Sequence, residues 1–530
     1  MKKIFLYYHT LKYLKFKQIR YRVYYALRAR WRKLTKFKYD FNSEKICTVN
    51  SLTLLPSIQN YTSFFPDNTF SFLNLEKTFS NEIDWNYNEY GKLWTYNLNY
   101  FEYLNQKEID PEIGVQLIRN FIKKIDTAKD GLEPFPISLR IINWVKFLTE
   151  NNIQDPEIDQ SLYIQTEILM GKLEFHILGN HLLENGFALL FAAYYFSDEK
   201  FYKKSTAILQ SQLKEQTLAD GAHFELSPMY HCLMLYRVLD CINLVDRNTL
   251  HLENESHLSE CLHEKVALML GWLRQMTFQN GDFPRLNDST SGIAPTSSEL
   301  FDCAARLNVT TKTVALKESG YRKFQSTDYE CIVDIGHIGP DYIPGHAHSD
   351  TFNFVIHAKG QPFIVDTGIS TYESGDNRQR ERSTSAHNTV QVGEVEQSEI
   401  WSSFRVARRA KVIDLNETKS TIKASHTGYA RTGATHEREF VFSEKKIVIK
   451  DNINTKKNTS AKAFIHFHPS IKVEVKGKTI HTNLGKIQFE GSESIELTSY
   501  MYAKGFNDRV ESRKIIITFE NDSLETRILI

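Results

Sequence analysis

The sequence predicts a multidomain chain, an N-terminal α/α toroid followed by a C-terminal antiparallel β-sandwich. Three observations carry this reading. At 530 residues the chain exceeds one ordinary hydrophobic core. Between about residues 100 and 310, apolar positions recur at helical spacing. From about Asp328 the period shortens to two, in short runs separated by turns. The implied division is a basic arm over 1–40, a helical domain over 41–315 and a β-domain over 325–530, joined near 312–327, where no periodicity is strong.

The arm is set apart by charge. Residues 1–38 hold thirteen Lys or Arg and no Asp or Glu, whereas the remaining chain holds 52 basic and 64 acidic side chains. A basic, Tyr-rich arm on an acidic body argues against nucleic acid as the partner of the whole protein. It suits a peripheral contact with anionic lipid or an anionic polymer; the alternative is an amphipathic helix docked on the body.

The helical domain is expected from seven segments: IGVQLIRNFIKKI, SLRIINWVKFLTEN, SLYIQTEILMGKLEFHIL, NGFALLFAAYYF, FYKKSTAILQSQLKEQ, SPMYHCLMLYRVLDCINLV and HEKVALMLGWLRQMT. Turns such as TAKDGLEPFP and LADGAH separate them. The β-domain is expected from CIVDIG, TFNFVIHA, QPFIVDTG, NTVQV, RRAKVIDL, REFVFS, KIVIKDNI, AFIHFHP, KIQFEG, IELTSYMYA and KIIITFE. No run reaches transmembrane length and no secretion signal is visible. The six Cys (47, 232, 241, 261, 303, 331) form no CxxC and read as reduced thiols. These features predict a cytoplasmic location, with the periplasm as the alternative, and leave the oligomeric state open.

The chemistry concentrates between Gly345 and Val390. His346 and His348 sit two apart, so on an extended strand both imidazoles face one side. Asp366 follows in FIVDTG and His387 in RSTSAHNTV, each on the next strand-like segment. His348, Asp366 and His387 converging from neighbouring strands form a candidate zinc-ligand set, with His346 left beside the metal as a free imidazole. The alternative is a hydrogen-bonded His/Asp network without metal. Asn180 and His181 open a helix in GNHLLEN, and Glu184 lies where it could orient the His181 ring. Tyr230 lies in SPMYH, and acts most simply as an acid because a free phenol titrates near pH 10. Arg378, Arg380 and Arg382 precede His387 and add positive field. Asn97 and Tyr100 are candidates for stacking on or bonding to a bound ligand.

The segments GNHLLEN, SPMYH and the stretch from Gly345 to Val390, in this order along the chain, resemble the heparinase II/III family of polysaccharide lyases, with the alginate and oligoalginate lyases of similar architecture also close, and the resemblance covers roughly residues 80 to 450. The resemblance implies β-elimination on a uronic-acid polymer, an anionic polysaccharide. That reaction removes the C5 proton, stabilises charge on the uronate carboxylate and protonates the leaving O4. By resemblance, Asn180 and His181 neutralise the carboxylate, Tyr230 delivers the proton, His346 is the base, Arg140 faces the substrate, and a structural zinc ties the strands near the site. An internal ion pair is the alternative for Arg140. Two other readings remain. One is a glycoside hydrolase on the same toroid, using two of Glu133, Glu184 and Glu225. The other is a non-catalytic glycan-binding protein of a surface-polysaccharide pathway.

Overall fold

In the computed structural model, residues 2–41, 48–252, 255–455, 460–519 and 522–530 are described; Cys47 lies outside them, and the other five Cys are free thiols. The order of elements is helical and then sheet-rich, as the change of period predicts. Two helices, Lys2–Leu11 and Phe16–Leu34, form the arm. A small antiparallel sheet follows at Phe64–Phe65, Thr69–Phe72 and Leu75–Thr78. The sequence reading missed it because its strands are two to four residues long, below the window in which a period of two registers.

The helices of the body are Lys92–Tyr100, Pro111–Ile122, Pro134–Glu150, Pro156–Met170, Gly179–Phe196, Glu199–Gln216, Pro228–Val245, Glu255–Met276 and Ser297–Arg306. Their starts are written locally. Asp110, Asp155 and Ser227 each cap with a side-chain oxygen and are followed by Pro at the first helical position, which has no amide to satisfy. The segment SLYIQTEILMGKLEFHIL was expected to be one helix, but it stops at Met170. Gly171 closes the turn, and the Asn185 amide oxygen accepts the Glu174 N–H at 2.8 Å, which draws the chain into the bend before the next helix. One apolar core, drawn from positions between Ile58 and Ala304, unites these helices. Trp85, Phe101, Phe121 and Trp144 pack within it at ring separations of 5.1–5.4 Å for the closest pairs, and each such ring stabilises by roughly 2–3 kcal/mol through burial alone.

The β-region contains three larger sheets, antiparallel at every pairing between strands. The largest runs 412–417, 421–426, 434–443, 446–455, 523–529, 486–490, 479–482, 473–476 across its eight strands. A second runs 494–505, 508–519, 461–466, 390–392, and a third 321–325, 329–334, 354–358, 361–364. Alternation along Ala434–Ser443 buries Ala434, His436, Arg438, Phe440 and Phe442 on one face. A second core, from Tyr329 to Ile528, joins all three sheets. Trp272, Met276, Phe278 and Leu286 from the helical side meet Tyr321, Ile332 and Val355 in a smaller cluster that couples the two regions.

His346 and His348 are not on a strand. They lie in the turns between strands Tyr329–Asp334 and Phe354–Ala358, and Asp366 and His387 sit just beyond strand ends. Pro340, Pro344, Gly336, Gly339 and Gly345 keep this stretch out of the sheet.

Candidate active site

The helical side supplies a loop that organises the rest. Between the helices Glu255–Met276 and Ser297–Arg306, Asn287 and Asp288 clamp the His-x-His segment by its backbone. Asp288 N–H donates to the His346 carbonyl at 3.1 Å, and His348 N–H donates to Asn287 Oδ1 at 3.0 Å. Ser227 ties this loop to the Tyr230 helix, because its hydroxyl donates to the Asp288 carbonyl at 2.7 Å while capping Tyr230 N–H at 3.3 Å.

The Asp288 carboxylate is the electrostatic centre. It is fully buried and accepts both terminal nitrogens of Arg378, at 2.5 and 2.7 Å. It also takes His346 Nδ1 and His348 Nε2, each at 2.8 Å. Burial pushes its pKa up, but the Arg378 guanidinium and the two imidazoles outweigh burial and hold it well below the usual carboxylate range. An ionised Asp288 accepts from both rings and so fixes both tautomers: His346 keeps its proton on Nδ1 and presents a lone pair at Nε2, and His348 presents one at Nδ1. Tyr230 stacks on His346 with ring centroids 3.8 Å apart, and its hydroxyl meets that of Tyr372 at 3.3 Å. Burial raises the Tyr230 pKa, which suits a proton donor and opposes a phenolate base.

Asn180 and His181 sit in the first turn of the helix Gly179–Phe196, whose positive end faces the same place. Asn180 N–H donates to Glu225 Oε1 at 3.3 Å, and the other Glu225 oxygen lies 3.4 Å from His346 Nε2. Desolvation shifts Glu225 toward its protonated form. A Cβ on Gly179 would fall 2.9 Å from Glu225 Oε1, and φ is +59°, so the helix start can approach this carboxyl only with glycine there. His181 is oriented by Glu174, not Glu184: its Nδ1 lies 2.9 Å from Glu174 Oε1, which favours the charged imidazole against its burial and raises its pKa. Asn180, Tyr230 and His346 are therefore linked through Glu225 and a ring stack, and His181 stands beside Asn180.

The expected zinc ligands are neighbours. His348 Nδ1 and His387 Nε2 are buried nitrogens without a hydrogen-bond partner, and the two ring centroids are 5.2 Å apart. Asp366 stands behind His387 here: its Oδ2 takes His387 Nδ1 at 2.7 Å and the Asn353 amide at 2.6 Å. Among the described residues no three His, Cys, Asp or Glu side chains converge as a metal-binding group. The donor set fits a metal in part, with two free imidazole lone pairs and a carboxylate placed to orient one ring.

Other expected residues fall elsewhere. Arg140 does not face a cleft. It is fully buried and donates to Gln165 Oε1, the Asn99 carbonyl and the Gly131 carbonyl at 2.6–2.9 Å, and desolvation lowers its pKa to about 9. A buried guanidinium satisfied by backbone carbonyls holds loops together. Arg382 is likewise buried and donates to the carbonyls of Ala347, Ser402 and Ser403, so it braces the His346–His348 segment rather than binding substrate. Glu184 is buried against Arg237 at 3.5 Å, and desolvation raises its pKa to about 7. Tyr100 is buried beside Tyr96 and Phe135, and Phe135 packs on His181 at 4.7 Å, so Tyr100 supports the site from behind. Asn97, with its amide on the Leu93 carbonyl, lines a cavity of about 480 Å³ between the helical and β-regions, with Leu233, Arg237, Lys504 and Phe506. Phe506 reaches Tyr372 at 5.0 Å, so this cavity adjoins the Tyr230–His346 pair.

Sequence reasoning missed Asp288, Glu174 and Tyr372, and left Arg378 undistinguished from its two neighbours. Asp288 stands in RLNDST, a loop with no period and no motif spacing, so only the fold reveals its partners.

The Heparinase II/III N-terminus model matches residues 138–306 and the Heparinase II/III-like, C-terminal model matches residues 308–530. The chain belongs to the heparinase II/III-like family. Within it, a heparin-sulfate lyase of Pedobacter heparinus is 25% identical over 244 residues, which span 40% of this chain and 36% of that relative. Among solved structures, heparinase III superposes with a TM-score of 0.66 at 16% identity, covering 92% of this chain and 88% of the other. Heparan sulfate lyase from Pedobacter heparinus superposes at 0.55 with 14% identity, covering 95% and 87%. At such identities these two superpositions show a common fold. The helical-then-antiparallel order of this family member follows theirs.

Proposed function

We propose that this protein is a polysaccharide lyase that cleaves a uronic-acid-containing, glycosaminoglycan-like polymer by β-elimination, leaving an unsaturated uronate at the new non-reducing end. The single observation that carries this reading is the Tyr230–His346 stack, with His346 locked by an ionised Asp288 so that Nε2 offers a lone pair. In this reading His346 Nε2 takes the C5 proton. The electron pair forms the C4–C5 double bond, the C4–O4 bond breaks, and the Tyr230 phenol protonates O4. Asn180 and His181, at a helix N-terminus, stabilise the charge that grows on the uronate carboxylate, and the burial of Glu225, which disfavours its charged form, lessens repulsion there. The family membership and the lyase names of the two Pedobacter heparinus relatives support the same chemistry. An α/α toroid packed on a β-sandwich, divided over 41–315 and 325–530, is the architecture this reading implies.

Zinc belongs to the proposal as a structural ion. His348 Nδ1 and His387 Nε2 would hold it, and Asp366, expected as the third ligand, would orient the His387 ring through Nδ1. Bound there, it would join the strand ends behind His346 and add positive field. The hydrolase alternative is weakened because Lys92 and Tyr96 hold Glu133, and Arg237 holds Glu184, which leaves Glu225 alone of the three beside His346. The test is a panel of uronate polymers followed by the ultraviolet absorbance of the C4–C5 double bond. The expected result is a rise on at least one polymer that falls about 100-fold or more in Tyr230→Phe. New reducing ends without absorbance would instead establish hydrolysis.

A further inference from the structure

The arm has two faces, and only one of them is used. Along the helix Phe16–Leu34, Gln18, Tyr21, Tyr25, Arg28 and Arg32 form a stripe at spacings of three and four. The first four of these dock on the stretch that leads into Asn180 and His181. Gln18 donates to the Ile177 carbonyl at 2.9 Å, Tyr21 stacks on Phe175 at 4.7 Å, and Tyr25 and Arg28 donate to the carbonyls of Leu173 and Gly171. The first helix and its turn dock on the β-region. Tyr7 meets Trp401 at 5.1 Å, Thr10 accepts the Trp401 indole N–H at 3.1 Å, and Tyr13 lies under Arg409 at 3.9 Å.

On the opposite side of the second helix run Phe16, Ile19, Val23, Leu27, Trp31 and Leu34, again at spacings of three and four, and all are exposed. Phe16 is 77% exposed and Leu34 83%. Ile4, Phe5, Tyr8 and Leu11 of the first helix are exposed as well. Of the 21 large hydrophobic side chains exposed among the described residues, thirteen lie before residue 38, so the apolar surface is concentrated rather than scattered. Arg20, Arg22, Arg30 and Lys33 flank it, and residues 1–38 contain no acidic side chain to oppose them. Neither helix is long and apolar enough to cross a membrane.

We propose that this face seats the protein on an anionic lipid surface, with the Phe16–Leu34 ridge lying in the plane of the headgroups. An apolar stripe bordered by basic residues, with Trp and Tyr at its margin, matches the boundary between acyl chains and anionic headgroups. A protein partner of ordinary composition would leave a cationic border of this density without matching acids, whereas a sheet of anionic headgroups meets it everywhere. Because the opposite face is docked on residues 171–177 and on Trp401 and Arg409, the lipid contact holds the rigid body, not a free tail. This inference stands on the exposure of the arm and does not depend on the lyase reading.

The test is flotation of the full chain with vesicles of phosphatidylcholine alone and of phosphatidylcholine mixed with phosphatidylglycerol, at about 0.1 M salt. The protein is expected to float with the anionic vesicles and to remain below with the neutral ones. The triple variant Ile19→Asp/Val23→Asp/Leu27→Asp is expected to lose flotation at least about tenfold, with its circular dichroism and melting temperature unchanged. Arg20→Gln/Arg22→Gln/Arg30→Gln is expected to float only at low salt. A parent chain that stays below with both vesicle types overturns the proposal, as does a triple variant that floats as well as the parent. A parent that fails to float but self-associates, while the triple variant is monomeric, assigns the ridge to a second copy of the chain and overturns the lipid assignment.

Discussion

At the scale of single residues, the site turns on Asp288 more than on any motif residue. It receives two charge-assisted bonds from Arg378 and one from each of His346 and His348. Asp288→Asn should lower kcat by about 100-fold or more, because the His346 tautomer is no longer imposed. The same change should destabilise the fold by about 3 kcal/mol, because Arg378 is left buried without its counter-charge. Steady-state kinetics and urea unfolding measure the two effects separately, and a variant that unfolds early yet keeps full kcat would show that the bond network is only structural. Glu184 gives a pH prediction. Burial raises its pKa from 4.5 to about 7, so its contribution is fully present below about pH 4.5 and is lost as pH rises through about 7. Compared with Glu184→Gln, the parent should therefore lose about 3 kcal/mol of stability between pH 4.5 and pH 8. Unfolding of both proteins across that range measures the difference, and parallel curves would refute the assignment.

At the scale of elements, buried ion pairs lock the helices that carry the site. Lys146, on Pro134–Glu150, reaches Asp240 at 2.9 Å and the Tyr236 hydroxyl at 2.9 Å, both on Pro228–Val245, the helix that begins beside Tyr230. Both charged partners are buried. Lys146→Met should cost about 3–5 kcal/mol by stranding Asp240, and Lys146→Met/Asp240→Leu should recover most of that loss. A double variant no more stable than the single one would mean that Asp240 serves chiefly Arg237, which lies 3.8 Å away. The start at Ser227–Pro228 was legible from the sequence because capping is local; Asp110–Pro111 carries the same instruction but stands ahead of Ile113, where the apolar period begins, so the expected segment started late. The end of Pro156–Met170 was not legible, because Asn185, on the following helix, helps to set it.

At the scale of the whole molecule, the site exists only where the two regions meet. Tyr230, Asn180 and Asp288 come from the helical side and His346, Tyr372 and Arg378 from the β-side, so the small cluster of Trp272, Phe278, Tyr321 and Ile332 that couples the regions also sets the register of the chemistry. A zinc ion held by His348 and His387 would stiffen the β-side of that seam. Metal analysis of purified protein should find about one zinc per chain, and chelation should lower the melting temperature by several degrees. Metal-free protein whose melting point ignores chelator would leave the imidazoles as a plain hydrogen-bonded network.

The sequence by itself determined the order of architecture, the basic arm, and the residues whose types and spacings announce chemistry: Asn180, His181, Tyr230, His346, His348, Asp366 and His387. These are local properties, carried by period, composition and short motifs. Only the tertiary structure decided the partners. It gave His181 to Glu174 rather than Glu184, made Asp288 the common acceptor of two imidazoles and a guanidinium, and put Asp366 behind His387. It also withdrew Arg140 and Arg382 from the substrate and fixed them on backbone carbonyls. A guanidinium in a sequence looks the same whether it faces water or a ring of carbonyls; burial makes the difference, and burial is set by contacts between residues far apart in the chain.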